Sequence, residues 1–245
     1  YIEDSDASPA PVFDFFLVTD SEQFSQELRL DGETDSMKWT AGVYYLDLDI
    51  NDANGAITDP FVGPAPTPGA EAGLYNPYRS EVQSMSAFGQ VEFAIADNVN
   101  ITVGGRVVRD DRDFEYQVDI VEFINPDSAM FNDASNRNLL ATLASYSGSR
   151  EDTEWAARIG FDWILSDDTL VYTSWNRGVK TSGYNAPIFP LAPPNDYNDA
   201  TLSFDPEVVD AFEVGIKLST SDGRARLNAA MYYNDFDNYQ AFTIS

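Results

Sequence analysis

The sequence predicts an all-β protein: a transmembrane, antiparallel, up-and-down β-barrel to which this chain gives about eight strands. Three observations lead there. Segments of roughly ten residues alternate apolar and polar side chains, a period of two that gives each strand one apolar face and one polar or small face. The connections between them alternate short and long, as tight periplasmic turns and long external loops do. Charges inside the segments keep to one phase, away from the apolar face.

Each element follows from that alternation. The first strand, 23–30, sets Phe24, Leu28 and Leu30 against Ser25, Glu27 and Arg29. The second, 37–48, places Trp39, Ala41, Val43 and Tyr45 together. The third, 83–95, aligns Met85, Ala87, Gly89, Val91 and Phe93. The fourth, 99–109, opposes Val99, Ile101, Val103, Gly105 and Val107 to Asn100, Thr102, Gly104 and Arg106. The fifth, 153–164, is the clearest: Trp155, Ala157, Ile159, Phe161 and Trp163 against Glu154, Ala156, Arg158, Gly160 and Asp162. The sixth, 169–177, alternates Val171, Thr173 and Trp175 with Tyr172, Ser174 and Asn176, and both of its sides are mixed. The seventh, 209–218, carries Phe212, Val214, Ile216 and Leu218 on one face. The eighth, 224–234, carries Ala225, Leu227, Ala229, Met231 and Tyr233.

Glu92, Arg106, Glu154, Arg158, Asp162, Glu213 and Arg226 all fall on the non-apolar faces. A Lys or Arg facing lipid near the midplane costs roughly 2–4 kcal/mol, whereas a filled or wet lumen imposes no such cost. Asp47 and Arg109 break phase only at strand ends, and Trp39, Trp163, Tyr45 and Tyr233 stand near ends as aromatic girdles do. The short connections 31–36, 96–98, 166–168 and 219–223 are rich in Asp, Asn, Gly and Ser, which are turn formers. The intervening stretches 49–82, 110–152 and 178–208 are expected to be long external loops; the first holds a Pro/Gly run at 59–77 and the third a Pro-rich run at 186–194. Residues 1–21 and 238–245 are expected to belong to further external loops.

Composition removes whole classes of function. The 245 residues include 41 acidic and 14 basic side chains, a net charge of -27. Phosphate backbones need clustered Lys and Arg, so nucleic acid is not an expected partner. With no Cys and no His, the usual zinc, thiol and Ser–His–Asp chemistries are absent. No catalytic residue, metal ligand set or cofactor is predicted. Asp110, Asp111 and Asp113, and Asp235 with Asp237, lack the spacing of an EF-hand and read as solvated carboxylates. Asp167 and Asp168 sit in a tight turn. No apolar run reaches the roughly 18 residues of a membrane helix. The chain opens at Tyr1 without a Met or a signal peptide, and is expected to be a mature product, a fragment or the ordered part of a longer protein.

Ordered motifs narrow the barrel further. Phe24-Ser25-Gln26-Glu27-Leu28-Arg29-Leu30, Ala41-Gly42-Val43-Tyr44-Tyr45, Ala87-Phe88-Gly89-Gln90 and Gly105-Arg106 resemble successive strands of TonB-dependent outer-membrane receptors. The run from Tyr172 through Asn176, Gly178 and Ser182 to Gly183-Tyr184-Asn185 is similar to another family segment. So are Asp205-Pro206-Glu207 through Lys217, and Asp222-Gly223-Arg224 through Ala230. The resemblance runs from about Phe24 to Gln240 and fails in the long loops. It implies a barrel of about 22 strands with an N-terminal plug, in the bacterial cell outer membrane, drawing energy from the TonB complex. Residues 1–245 are then part of one barrel domain, with neither plug nor TonB box in this chain. An independent eight-stranded barrel is the geometric alternative.

By the same resemblance the partners are outer-membrane lipid, a small nutrient ligand, and the TonB complex through the missing plug. Arg106, Arg158, Arg177, Lys180 and Arg226 are expected to face the lumen or its rim, either toward an anionic ligand or plug or in a ladder with Glu27, Glu92, Glu154 and Glu213. Tyr75, Tyr78, Arg79, Tyr184 and Asn185 lie in expected external loops, where loops often carry function. The expected ligand-binding set is thus Tyr75, Tyr78, Arg79, Arg106, Arg177, Lys180, Tyr184 and Asn185. Active uptake of a siderophore, corrinoid or oligosaccharide is the leading function. A passive porin and a secreted glycan-binding β-protein are the alternatives.

Overall fold

Every alternating segment forms a strand, and the strands outrun the alternation. In chain order they are β1 (Ile2–Asp4), β2 (Asp14–Val18), β3 (Ser21–Thr34), β4 (Met37–Ile57), β5 (Glu71–Ala96), β6 (Val99–Phe123), β7 (Arg137–Ser166), β8 (Thr169–Lys180), β9 (Gly183–Tyr184), β10 (Ser203–Phe204), β11 (Glu207–Ser219) and β12 (Arg226–Asp237). One short helix, α1 (Asp199–Leu202), stands between β9 and β10. This computed structural model describes residues 2–4 (backbone only), 14–57, 63–125, 133–187, 196–220, 222 and 224–241.

All strands except β9 and β10 join one ten-stranded antiparallel sheet, ordered β1-β2-β4-β5-β6-β7-β8-β11-β12, with β3 also paired to β4. β2 and β3 meet the same edge of β4 in one register, Val18 opposite Ala53 and Ser21 opposite Ile50, so they are two lengths of a single strand. Among the described residues the sheet stays open. Residues 35–36, 97–98 and 167–168 connect successive strands as two-residue hairpins.

The register tests the phase assignments. Residues directly opposite in an antiparallel pair share a side of the sheet. From Leu28 the register passes through Val43, Ala87 and Val107 to Trp155. From Ile159 it passes through Trp175 and Phe212 to Tyr233. All eight apolar faces, the mixed sixth one included, lie on one side. The other side carries Glu27, Glu92, Arg106, Glu154, Arg158, Asp162, Glu213 and Arg226. On the apolar side Leu28 is 65% exposed and Val107 54%, a continuous uncovered surface that suits lipid.

The upper edge of that lipid band is tilted. Its first polar residues are Asp47, Gln83, Arg109, Thr153, Arg177, Asp210 and Asp235. Across the paired registers this edge drops about six residues in six inter-strand steps, a tilt of about 35° at roughly 3.3 Å per residue and 4.8 Å per strand. A closed barrel requires strands tilted to that degree.

The stretches 49–82 and 110–152 correct the sequence reading. Both are mostly β-ladder, since β4 runs on to Ile57, β5 starts at Glu71, β6 runs to Phe123 and β7 starts at Arg137. Backbone pairing continues after lipid stops imposing one apolar face, so the strand outlives its sequence signal. β7 has 30 residues, about 100 Å of strand, whereas a crossing needs about 9–11. The surplus stands outside the membrane. Of the Pro-rich runs, 58–62 and 188–195 lie outside the described residues.

The buried core sits in these extensions. On the side continuous with the lipid face, Phe16, Ala53, Ile57, Tyr75, Val121 and Phe123 cluster, with Phe16 and Phe123 edge to face at 5.6 Å. On the lumen side Phe114, Tyr116, Val118 and Leu202 form a second cluster.

Candidate functional site

The lumen side of β6 and β7 reads upward as a series of opposed pairs. Arg106 faces Ala156, then come Val108 and Glu154, Asp110 and Asp152, Arg112 and Arg150, Phe114 and Gly148, Tyr116 and Tyr146, and Val118 and Ala144. Charge therefore gives way to aromatic surface as the strands leave the membrane. Tyr78 of β5 extends the surface, its ring 6.2 Å from that of Phe114.

The connection between β8 and β11 crosses this wall as a strap. β9 and β10 pair with each other, Ser203 opposite Tyr184, and among the described residues join no other strand. Tyr184 lies flat on Phe114, ring centroids 4.9 Å apart and planes at 5°. Tyr197 stacks on Tyr116 at 6.0 Å. Leu202 is 1% exposed, which is worth about 1.5–3 kcal/mol for a leucine.

Polar bonds fix the strap's ends. Asn54 Nδ2 donates to the Ala186 carbonyl at 3.0 Å, and Tyr116 Oη donates to the Pro187 carbonyl. Tyr146 Oη donates to Asp199 and Ser182 Oγ to Asp152. Arg150 reaches Ser203 Oγ at 2.9 Å and Asp205 at 2.8 Å. Gly183 is required by this close approach: a Cβ there would lie 2.5 Å from Phe204 Cζ and 3.0 Å from Arg112 Nη1.

Burial sets the chemistry of these groups. It pushes the Tyr78 phenol up to about 12, with help from its hydrogen bond to Asp52. Burial likewise raises Tyr116, Tyr146 and Tyr184. It lowers Arg112, against the opposing pull of Asp110, Asp152 and Tyr184. Tyr78, Tyr116 and Tyr146 are held as neutral donors to Asp52, the Pro187 carbonyl and Asp199. Among the described residues no group of three or more acidic side chains is disposed to hold a metal ion.

The structure distributes the sequence-predicted residues unevenly. Tyr75, Tyr78 and Arg79 line one cleft of about 610 Å³, but Tyr75 and Arg79 point to the outer side with Glu115 and Ser147, whereas Tyr78 points to the lumen side with Tyr116 and Tyr146. Arg79 bridges Asp49 at 2.6 Å and also pairs with Glu81; its hydrogen bond to Asp49 holds that carboxyl below the usual range. Tyr75 is largely sequestered in the other cluster, with the Arg137 guanidinium 3.8 Å over its ring. Tyr184 and Asn185 belong to the strap, and Asn185 N donates to the Leu202 carbonyl at 2.7 Å. Arg106 stands on the lumen side, 5.8 Å from the Tyr44 ring. Lys180 ends β8, opposite Glu207.

Arg177 is a correction. It shares the phase of Trp175 and Ala157 and so stands on the lipid side, not toward the lumen. There it bonds Asp210 at 3.1 Å and lies 4.3 Å over Trp155, at the polar edge of the lipid band. The expected lumenal ladder is a second correction. Among the described residues no ion pair joins Arg106, Arg158, Lys180 or Arg226 to Glu27, Glu92, Glu154 or Glu213; the pairs present involve other residues. Sequence reasoning missed Phe114, Tyr116, Tyr146, Tyr197 and Leu202. A signal existed for the first two, since Phe114, Tyr116 and Val118 keep a strand's period of two.

Comparison with known proteins agrees with this architecture. The family model described as TonB dependent receptor-like, beta-barrel, matches residues 3–245. The ferric yersiniabactin uptake receptor of Yersinia pestis superposes with a TM-score of 0.69 at 20% identity, over 95% of this chain and 31% of its own. The siderophore receptor PiuA of Acinetobacter baumannii gives 0.57 at 18% identity, over 90% of this chain and 33% of its own. The closed form of the ferric-catecholate import receptor Fiu of E. coli K12 gives 0.50 at 17% identity, over 92% and 32%. The chain thus spans about a third of the length of each structure. It belongs to the TonB-dependent receptor-like β-barrel family, whose members are bacterial outer-membrane transport proteins and not enzymes.

Proposed function

We propose that this chain is part of the wall and ligand-capturing surface of an active-transport receptor, one barrel domain of about 22 strands whose plug couples uptake to the TonB complex. The cargo is a scarce nutrient, a siderophore first, with a corrinoid or an oligosaccharide as the other classes. The observation that carries this reading is the lumen-side aromatic wall of Tyr78, Phe114, Tyr116 and Tyr146. It lies on strand extensions beyond the lipid band, where a solute arriving from outside first meets the protein. Its aromatic rings supply flat contact area, and its phenol oxygens, whose hydrogens go to Asp52, the Pro187 carbonyl and Asp199, can accept hydrogen bonds. Arg79 stands on the outer side of the same strands, held by Asp49 and Glu81. Lys180 and Arg106 lie lower on the lumen side, on the route inward. Tyr184 and Asn185 serve by seating the strap. Siderophores come first because a siderophore receptor, PiuA, is among the similar structures.

Deleting the gene and measuring growth and uptake on iron, corrinoid and glycan sources tests the proposal. One class of uptake is expected to fall, and to be restored by the wild-type gene but only weakly by a Tyr78→Ala, Tyr146→Ala double variant. Normal uptake of all three classes by the deletion strain would overturn it.

A further inference from the structure

Arg106 and Arg158 are neighbours on the lumen side of the sheet. Arg106 faces Ala156 across the β6–β7 ladder, and Arg158 faces Gly104. They therefore occupy a diagonal of adjacent pairs, a separation of about 7 Å between side-chain origins. On the next strands Asn176 lies opposite Arg158 on β8 and Phe88 opposite Arg106 on β5, and the Tyr44 ring lies 5.8 Å from the Arg106 guanidinium. On the opposite side of β6 and β7 at this level stand Val103, Val107 and Ile159, members of the lipid band.

Neither guanidinium makes an ion pair among the described residues, although Glu154 stands one pair above Arg106. This sets them apart from Arg79, Arg109, Arg150 and Arg177, each of which holds a carboxylate. Two adjacent cations repel one another, and more strongly where lipid lies behind a single sheet than in open water. An anion placed between two planar guanidinium forks removes that repulsion and gains charge-assisted, directional hydrogen bonds.

We propose that Arg106 and Arg158 form an anion-binding locus on the lumen wall, at the depth of the lipid band, that takes a carboxylate or phosphate between them. The inference rests on the reading of this side as the lumen of a transport barrel. The same chemistry has two sources: a soluble anion passing through, or an acidic side chain of the full receptor lying against this wall.

The full-length receptor, purified in detergent, distinguishes them by its thermal midpoint during titration with citrate and with inorganic phosphate. Five proteins are compared: wild type, Arg158→Gln, Arg158→Lys, Arg106→Gln with Arg158→Gln, and Arg226→Gln as a lumen-side cation remote from the pair. For a soluble anion, the wild-type midpoint rises with citrate or phosphate. Arg158→Gln then weakens the apparent affinity about tenfold, the double variant does not respond, and Arg226→Gln responds as wild type. For an acidic side chain, citrate has no effect on any of them. The double variant then melts below wild type, Arg158→Lys restores most of the loss, and Arg226→Gln does not melt lower. The proposal is overturned if both Arg→Gln variants behave as Arg226→Gln does in titration and melting. Arg158→Gln alone carries the comparison should the double variant fail to insert. None of these readouts requires transport, so a normal uptake profile in the deletion strain would remove the uptake reading without removing this result.

Discussion

Single residues show how one chemical type takes different roles by depth and side. Four phenols of the external wall, Tyr78, Tyr116, Tyr146 and Tyr184, are raised by burial. They bind their protons more tightly folded than unfolded. Their contribution is therefore whole below the ordinary tyrosine value of 10.0 and is lost as pH rises from there through about 12, the value for Tyr78. Tyrosinate absorbance is expected to rise in two stages, with strap protection against amide exchange disappearing in the second. Simultaneous titration of all tyrosines near pH 10 would contradict this. Leu202 tests the same contact from the apolar side. Leu202→Ala is expected to cost about 2–5 kcal/mol, the range for a buried leucine. The loss should appear as faster amide exchange at 196–206, with β4–β8 protected as before. Uniformly faster exchange would make the leucine part of the global core instead.

At the scale of elements, the strand is a device with two independent faces. Ile159→Lys, in the middle of the lipid band of β7, is expected to cost roughly 2–4 kcal/mol, whereas a charge on the lumen face carries little penalty. Asp162→Lys, three residues on and on the lumen side, is expected to stay within about 0.5 kcal/mol. Unfolding from lipid vesicles in denaturant measures both, and equal costs would dissolve the distinction between faces. This separation explains what the sequence made legible. In the bilayer every second residue answers to hydrocarbon, so Trp155, Ala157, Ile159, Phe161 and Trp163 reveal strand, limits and facing at once. Even the mixed β8 is recoverable, because its neighbours dictate its phase. Beyond Asp47 and Arg109 that constraint ends. Residues 110–117 and 145–152 remain paired, but their outward positions, such as Asp111, Glu115, Ser145 and Ser147, are as polar as a loop. The strap was illegible for another reason. Its partners, such as Ser182 with Asp152 and Asn54 with Ala186, are distant in sequence and joined by no periodic pattern.

For the whole molecule, the lipid band makes a claim that one spectroscopic property checks. Trp39, Trp155, Trp163 and Trp175 are all four tryptophans of the chain, and the paired registers put every one on the lipid side. In the reconstituted receptor, with other tryptophans replaced, brominated lipid is expected to quench most of their fluorescence. Water-soluble iodide should quench little. The reverse order would assign these faces to water and overturn the orientation of the sheet.

The ladders also differ in mechanical character. β4 and β5 pair without a register shift from Met37 opposite Phe93 to Ile57 opposite Gly73. That is a beam of about 70 Å, at roughly 3.3 Å per residue, running from the periplasmic hairpin to the external tip. β6 and β7 begin with equal regularity, then shift register twice, between Val118 and Asp119 and between Ile120 and Val121. Bulges bend and twist the strand that carries them. A load at the outer tip therefore has a stiff arm on one side and a hinge on the other. It turns the tip about residues 118–121 and reaches the membrane chiefly through β4 and β5.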